Sequence, residues 1–94
     1  MPEKHFDIQW PNGDQQSCYS PSSIISDYLI AEQTYALKDF IYQAELGLNE
    51  ASERVRSKYG YACSSAMDQL NQLKKAATKF EQSPKSLVIV KRIY

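Results

Sequence analysis

Apolar and polar residues alternate from Lys4 to Trp10. Phe6, Ile8 and Trp10 fall on one side, and His5, Asp7 and Gln9 on the other. That period of two predicts a half-buried strand. Pro11-Asn12-Gly13-Asp14 follows. Asn-Gly is a strong hairpin signal, because both residues accept a positive φ. Gln15 to Tyr19 is the expected return strand. With Asn12-Gly13 as a two-residue loop, Ile8 faces Ser17 and Phe6 faces Tyr19. That register puts Tyr19 on the core face and Cys18 on the face of His5 and Asp7.

Ser20-Pro21 reads as a helix start, with Ser20 as N-cap and Pro21 in the first turn. Ile24, Ile25, Tyr28 and Leu29 give one apolar stripe, so a short helix is expected over Pro21–Leu29. Residues 30–36 read as a connection. Leu37, Phe40, Ile41, Ala44, Leu48, Ala51 and Val55 then recur at steps of three and four, the mark of an amphipathic helix over Leu37–Tyr59. Its bases, Arg54, Arg56 and Lys58, come last, which suits the helix dipole. Gly60 is placed to end it. A second stripe of Ala62, Ala66, Leu70, Leu73, Ala77 and Phe80, with Met67 beside it, predicts a helix over 62–81. Two starts are open. Ser65-Ala66-Met67-Asp68 fits a capping box. Alternatively the helix begins near Ala62, with Cys63 in its first turn.

The short turn after Tyr59 makes the two helices an antiparallel hairpin. Pro84 ends the helical region. Leu87 to Ile93 is a β-branched run, expected to be a third strand pairing beside the first. The predicted architecture is a single α+β domain over 1–94. A three-stranded sheet, made of an N-terminal hairpin (1–20) and a C-terminal strand (87–93), packs against a short helix and a helical hairpin.

Composition agrees with a globular domain. The 94 residues are 43% hydrophobic and 23% charged, with three Gly and four Pro. A domain this small buries only about 60–65% of its unfolded surface, so a second copy or a partner surface is expected to contribute. The longest clean apolar run is Leu87 to Val90, far short of a membrane span. No apolar stretch follows the first five residues, so no signal peptide is expected and the cytoplasm is the expected location. One His and two Cys give neither a disulfide scaffold nor a zinc site, and no cofactor motif is present.

Net charge is zero but unevenly spread. Residues 1–53 hold nine acids and two bases, and residues 54–94 hold nine bases and two acids. One reading is an anion-binding face; the other is mutual neutralisation in the fold. The zero net charge argues against nucleic acid, which calls for a basic footprint.

Candidate chemistry gathers at the turn between the long helices. Cys63 near a helix start, with Arg56 and Lys58 nearby in sequence, has the setting of a lowered thiol pKa and hence of a nucleophile. Its alternative is a small apolar filler. His5, the only His, is the one imidazole available as a base, and no spacing places it near Cys63. Cys18 is either a resolving partner for Cys63 or structural; no Cys-x-x-Cys spacing supports the first. Arg54, Arg56, Lys58, Ser64 and Ser65 flank the turn and form a candidate anion site, against the plainer reading of solvated charge. Tyr59 and Tyr61 bracket Gly60 and could stack on a flat ligand or form an amphipathic rim. No metal set, Gly-rich phosphate loop or Ser-His-Asp group is present.

These residues also carry a family resemblance. Trp10-Pro11-Asn12-Gly13, Cys18-Tyr19-Ser20-Pro21-Ser22 and the block from Ala51 to Ser64, continuing to Asp68-Gln69-Leu70, resemble the small bacterial nitrogen-starvation-response proteins encoded beside a nitrilase. The resemblance covers about residues 1–80 and leaves Leu87–Tyr94 outside. It implies a genetic setting of nitrogen limitation and nitrile or cyanide use, with a flavin-dependent oxidoreductase, a radical enzyme and an acetyltransferase encoded nearby. It places Cys18, Arg54, Arg56, Lys58, Tyr59 and Cys63 in the dense part of the family pattern and assigns none of them a catalytic role.

Three functions follow as expectations. The first is a non-enzymatic accessory protein that binds an enzyme of the nitrilase cluster or pairs with itself. The second is a thiol protein that uses Cys63 as nucleophile, carrier or sensor. The third is anion or nucleic-acid binding through the basic second half.

Overall fold

A computed structural model gives the fold and describes residues 3–60, 64–80 and 86–94. Strands β1 (Lys4–Gln9) and β2 (Gln15–Ser20) form the hairpin, and β3 (Thr34–Ala36) leads directly into helix α1 (Leu37–Tyr59). Helix α2 (Ser64–Ala77) continues as a 3-10 turn over Thr78–Phe80, and β4 (Leu87–Ile93) closes the chain. The class is α+β, as the sequence predicts. The sheet has four strands rather than three, all antiparallel, in the order β2-β1-β4-β3. The added strand lies inside the stretch expected to be a connection. Three residues are too few to display an alternation, and only Tyr35 of β3 turns inward.

The hairpin register differs from expectation by one residue. Trp10 N–H donates to the Asp14 carbonyl (2.7 Å) and Gly13 N–H to the Trp10 carbonyl (2.9 Å). The loop is therefore the three residues Pro11-Asn12-Gly13, with Gly13 at φ +94°. A two-residue loop would need a ladder N–H from Pro11, which has none. A one-residue slip exchanges the faces. Phe6 now pairs with Cys18 and His5 with Tyr19. Cys18 is in the core, and Tyr19 shares the outer face with His5.

The short helix is also corrected. It is a 3-10 turn over Ser23–Asp27, capped by Ser22, whose Oγ accepts from Ile24 N–H (3.3 Å). Ser20 ends β2 instead and donates its hydroxyl to the Ser22 carbonyl (2.8 Å). Ile25 and Leu29 are fully buried, as their stripe requires.

Helix α1 keeps its predicted bounds. Gly60 ends it at φ +83°, its N–H bonded to the Arg56 carbonyl (2.8 Å). Helix α2 already includes Ser64 and Ser65, so Ser65 is not its N-cap. Residues 61–63, with Cys63 and Tyr61, lie outside the described residues. A Lys74–Glu45 ion pair (3.2 Å) joins the far end of α2 to the first half of α1, which makes the pair antiparallel.

Both helices pack on one face of the sheet. Phe6, Ile8, Cys18, Val88 and Val90 meet Phe40, Ala44, Leu48, Leu70 and Leu73 in a single core. Trp10 closes one end, edge-on to Phe40 (6.0 Å) and stacked with Phe80 (5.8 Å). Its indole N–H donates to Gln16 Oε1 (2.9 Å).

Gly47 lets the 3-10 turn approach α1. A Cβ there would lie 2.6 Å from Ile25 Cδ1 and 3.3 Å from Tyr28 Cβ. Alanine gains about 1 kcal/mol of helix propensity, but overpacking a filled core costs about 1–3 kcal/mol. Ile25 has no exposed side to retreat to, so the second effect should win. Gly47→Ala is expected to lower the unfolding free energy by about 1 kcal/mol in urea titration. A more stable variant would show that the turn is not packed this tightly.

Candidate functional site

Among the described residues, the helices cover one face of the sheet and leave the other open. Register places His5, Asp7 and Gln9 on that open face, with Ser17 and Tyr19 from β2, Arg92 and Tyr94 from the end of the chain, and Leu87 and Ile89 from β4. A β-bulge makes this set possible. Asp7 pairs with Arg92, but the next pair is Ile8 with Val90, which leaves Lys91 as the extra residue. Strict alternation from Val88 and Val90 would turn Arg92 into the core. The extra residue resets the parity, so Ile93 packs inward and Arg92 faces out. Bulges commonly re-aim side chains in this way.

Asp7 is the centre of the face. Its Oδ2 accepts from Arg92 Nε (2.6 Å), and its Oδ1 from Ser17 Oγ (2.8 Å) and Tyr94 OH (3.2 Å). The Arg92 hydrogen bond, then that of Ser17, holds the Asp7 carboxyl below the usual carboxylate range. The Asp7 side chain is 15% exposed, whereas that of Arg92 is 69% exposed. The Arg92 guanidinium carbon lies 4.6 Å from the centre of the Tyr94 ring. His5 stacks on Tyr94 and meets Tyr19 edge-on, both at 5.6 Å.

The predicted site at the helical turn is arranged differently. Arg54, Arg56, Lys58, Tyr59, Ser64 and Ser65 are all exposed. Arg54 sits 3.9 Å from Glu50, and Arg56 sits 3.6 Å from Glu53. Lys58 lies over the Tyr59 ring at 5.7 Å. Arg54 and Lys58 share an open depression with Glu50, Glu53 and Ser57, so its lining carries both signs of charge. Tyr28 donates its hydroxyl to Glu50 at the edge of this depression. Tyr61 and Cys63 fall outside the described residues. Among the described residues, no group of His, Cys, Asp or Glu is placed to hold a metal ion.

A family model described as nitrogen starvation-induced protein NitG matches residues 5–93. This chain belongs to the NitG family. The match extends past the N-terminal 80 residues that carry the resemblance and takes in β4, so the C-terminal strand belongs to the NitG pattern too. Of the open-face cluster, only Tyr94 lies beyond the match. No curated protein and no solved structure matches the chain.

Within this NitG chain, Cys18 is a core residue. Burial, then the Asp7 charge, pushes its thiol up to about 12. Native Cys18 should therefore resist iodoacetamide at pH 8 and react at an ordinary rate only once the chain unfolds. Peptide mapping of the alkylated protein reads this directly, and rapid native labelling of Cys18 would contradict the packing.

Asp7 gives a pH signature. Its folded pKa lies below the unfolded value of about 3.9. Its contribution is therefore fully present above that value and is lost as pH falls through the folded pKa. Asp7→Asn is expected to cost about 1 kcal/mol at pH 7, a discounted figure because Arg92 is largely solvated. Urea titrations should show the gap between native and variant protein narrowing below about pH 4. A gap that widens on acidification would refute the network.

Proposed function

We propose that this NitG-family chain is a small accessory protein of the cytoplasm, acting through contact with a partner protein rather than through its own chemistry. The partner we favour is an enzyme of the nitrilase gene cluster. The observation that carries this reading is the open face of the sheet. Among the described residues of this small chain, one whole face is free of helices and is organised by its own side chains around Asp7. It combines Tyr94, Tyr19 and Arg92, residue types that dominate binding energy at interfaces, with the apolar Leu87 and Ile89.

Other features support the same reading. Among the described residues, no helix is long and apolar enough to cross a membrane. A thiol mechanism would have to rest on Cys63, because Cys18 is sealed in the core with its thiol held protonated. Anion or nucleic-acid binding through the basic second half is disfavoured by the glutamates beside Arg54 and Arg56 and by the Asp7–Arg92 pairing on the open face.

The test is a tagged pull-down from nitrogen-starved cells, comparing native protein, a Leu87→Glu/Tyr94→Ala double variant and Cys63→Ser. Native protein and Cys63→Ser should retain one cluster enzyme in fixed stoichiometry. The double variant, with unchanged circular dichroism, should retain at least tenfold less. A native chain that runs alone and captures no enzyme would overturn the proposal. Loss of the enzyme with Cys63→Ser alone would move the function to the thiol.

A further inference from the structure

β2 is an outer strand of the sheet, and its free edge is only partly covered. Tyr19 N–H points away from β1 and donates to Gln69 Oε1 on α2 (3.0 Å). In an antiparallel ladder, residues two apart turn their backbone groups the same way. Ser17 and Gln15, opposite Asp7 and Gln9, therefore also direct N–H and C=O outward. Among the described residues, nothing pairs with these groups. Gln69 thus closes the edge at Tyr19 and leaves it open at Ser17 and Gln15. Native edge strands are commonly blunted by charge, proline or a bulge. Gln15-Gln16-Ser17 carries none of the three. The opposite edge, β3, is blunted by its length of three residues.

We propose that this edge pairs with the β2 edge of a second copy of the chain, antiparallel, about a twofold axis at Gln16. Gln15 of each copy then pairs with Ser17 of the other, and each pair exchanges two hydrogen bonds. These are the residues whose outward backbone groups are open, and the ladder stops on each side at Tyr19, where Gln69 is already seated. The side chains favour a second copy over an unrelated strand. The residue opposite Gln16 shares its face of the sheet, the helix side. There it meets a groove of about 330 Å³ whose lining includes Asn12, Asp14, Gln16, Lys79 and Phe80. Such polar walls suit a carboxamide better than an apolar anchor. Trp10 Nε1–H donates to Gln16 Oε1 (2.9 Å) and so fixes that amide, leaving its Nε2 and a second Oε1 lone pair to spend. Two such amides facing across a twofold are each other's complement, each Nε2 donating to the other's Oε1. Residues 15–17 are neutral and the chain has no net charge, so no repulsion opposes the approach. The axis runs perpendicular to the sheet. It joins two four-stranded sheets edge to edge and keeps both open faces on the same side, so the dimer presents the face around Asp7 twice. Dimer formation does not depend on what binds that face, and a failed pull-down leaves it standing.

Two measurements test it. Sedimentation velocity of the purified chain from about 1 µM to about 1 mM should show a concentration-dependent dimer. Gln15→Pro, verified as folded by circular dichroism, removes one outward N–H from each copy. Two hydrogen bonds are lost per dimer, so the dissociation constant should rise about tenfold. A chain that is monomeric over the whole range overturns the proposal, and so does a dimer that is as tight with Gln15→Pro. The second measurement reads the register by crosslinking on a Cys63→Ser background. Gln16→Cys puts two thiols in a non-hydrogen-bonded cross-strand pair, with Cα atoms about 4.5 Å apart and within disulfide reach. Mild oxidation should crosslink it into dimers. Gln15→Cys, which faces Ser17 of the second copy, should crosslink far less. Equal crosslinking of the two, or crosslinking of Gln15→Cys alone, overturns the twofold at Gln16.

Discussion

The structure depends on its last strand being an inner one. β4 sits between β1 and β3 and hydrogen-bonds to both, so neither neighbour belongs to a continuous sheet until the C-terminus is in place. His5 and Tyr94, at opposite ends of the chain, exchange two backbone hydrogen bonds. Closing such a separation is entropically slow, because the intervening loop must be restricted before the pairing stabilises anything. The hairpin and the two helices are local and can form early. β4 supplies Val88 and Val90 to the core, and with them the contacts that join the hairpin to α1.

That dependence explains what the sequence shows and what it hides. Local periodicities are legible: the bounds of α1 follow from its stripe and from Gly60, and β4 from its β-branched run. Registers between elements are not. Pro11 lacks the N–H that a two-residue turn needs, and that one missing donor moves Cys18 inward and Tyr19 outward. The three residues of β3 carry no pattern of their own; they are a strand only because β4 is beside them. Lys91 looks like any exposed lysine, yet as the bulged residue it decides which face Arg92 takes. The Asp7 side of the cluster was therefore readable from alternation, while Ser17, Arg92 and Tyr94 were not. At the helical turn the cations are dense in sequence, but Arg54 and Arg56 lie beside glutamates in space.

The energetics of the Asp7 network separate its structural use from its functional one. An ion pair with a largely solvated arginine contributes little to stability, typically about 0–1 kcal/mol. The fold does not need it, since the core below already fixes β1 and β4. What the network supplies is orientation. Asp7 gathers three donors from β2, β4 and the terminal Tyr94 and so ties the open face together across the strands. A free arginine side chain loses about 0.5–1.5 kcal/mol when it is immobilised at an interface. In this fold much of that ordering is already done by Nε and the Tyr94 ring, before any partner arrives.

The same reasoning ties the bulge to function. A regular β4 would keep the ladder intact but would send Arg92 towards Phe6 and the core, where an arginine without a partner is strongly unfavourable. The chain could have avoided the problem with an apolar residue at 92. It carries an arginine there, accepts an irregular ladder, and places an aspartate opposite and a tyrosine beside it. Stability rewards these choices only slightly, by about 1 kcal/mol for the Asp7 network, since a plain apolar strand would pack as well. They make sense together if the outward guanidinium is what β4 is built to present, with the inner half of the strand serving the core and its terminal half serving the open face.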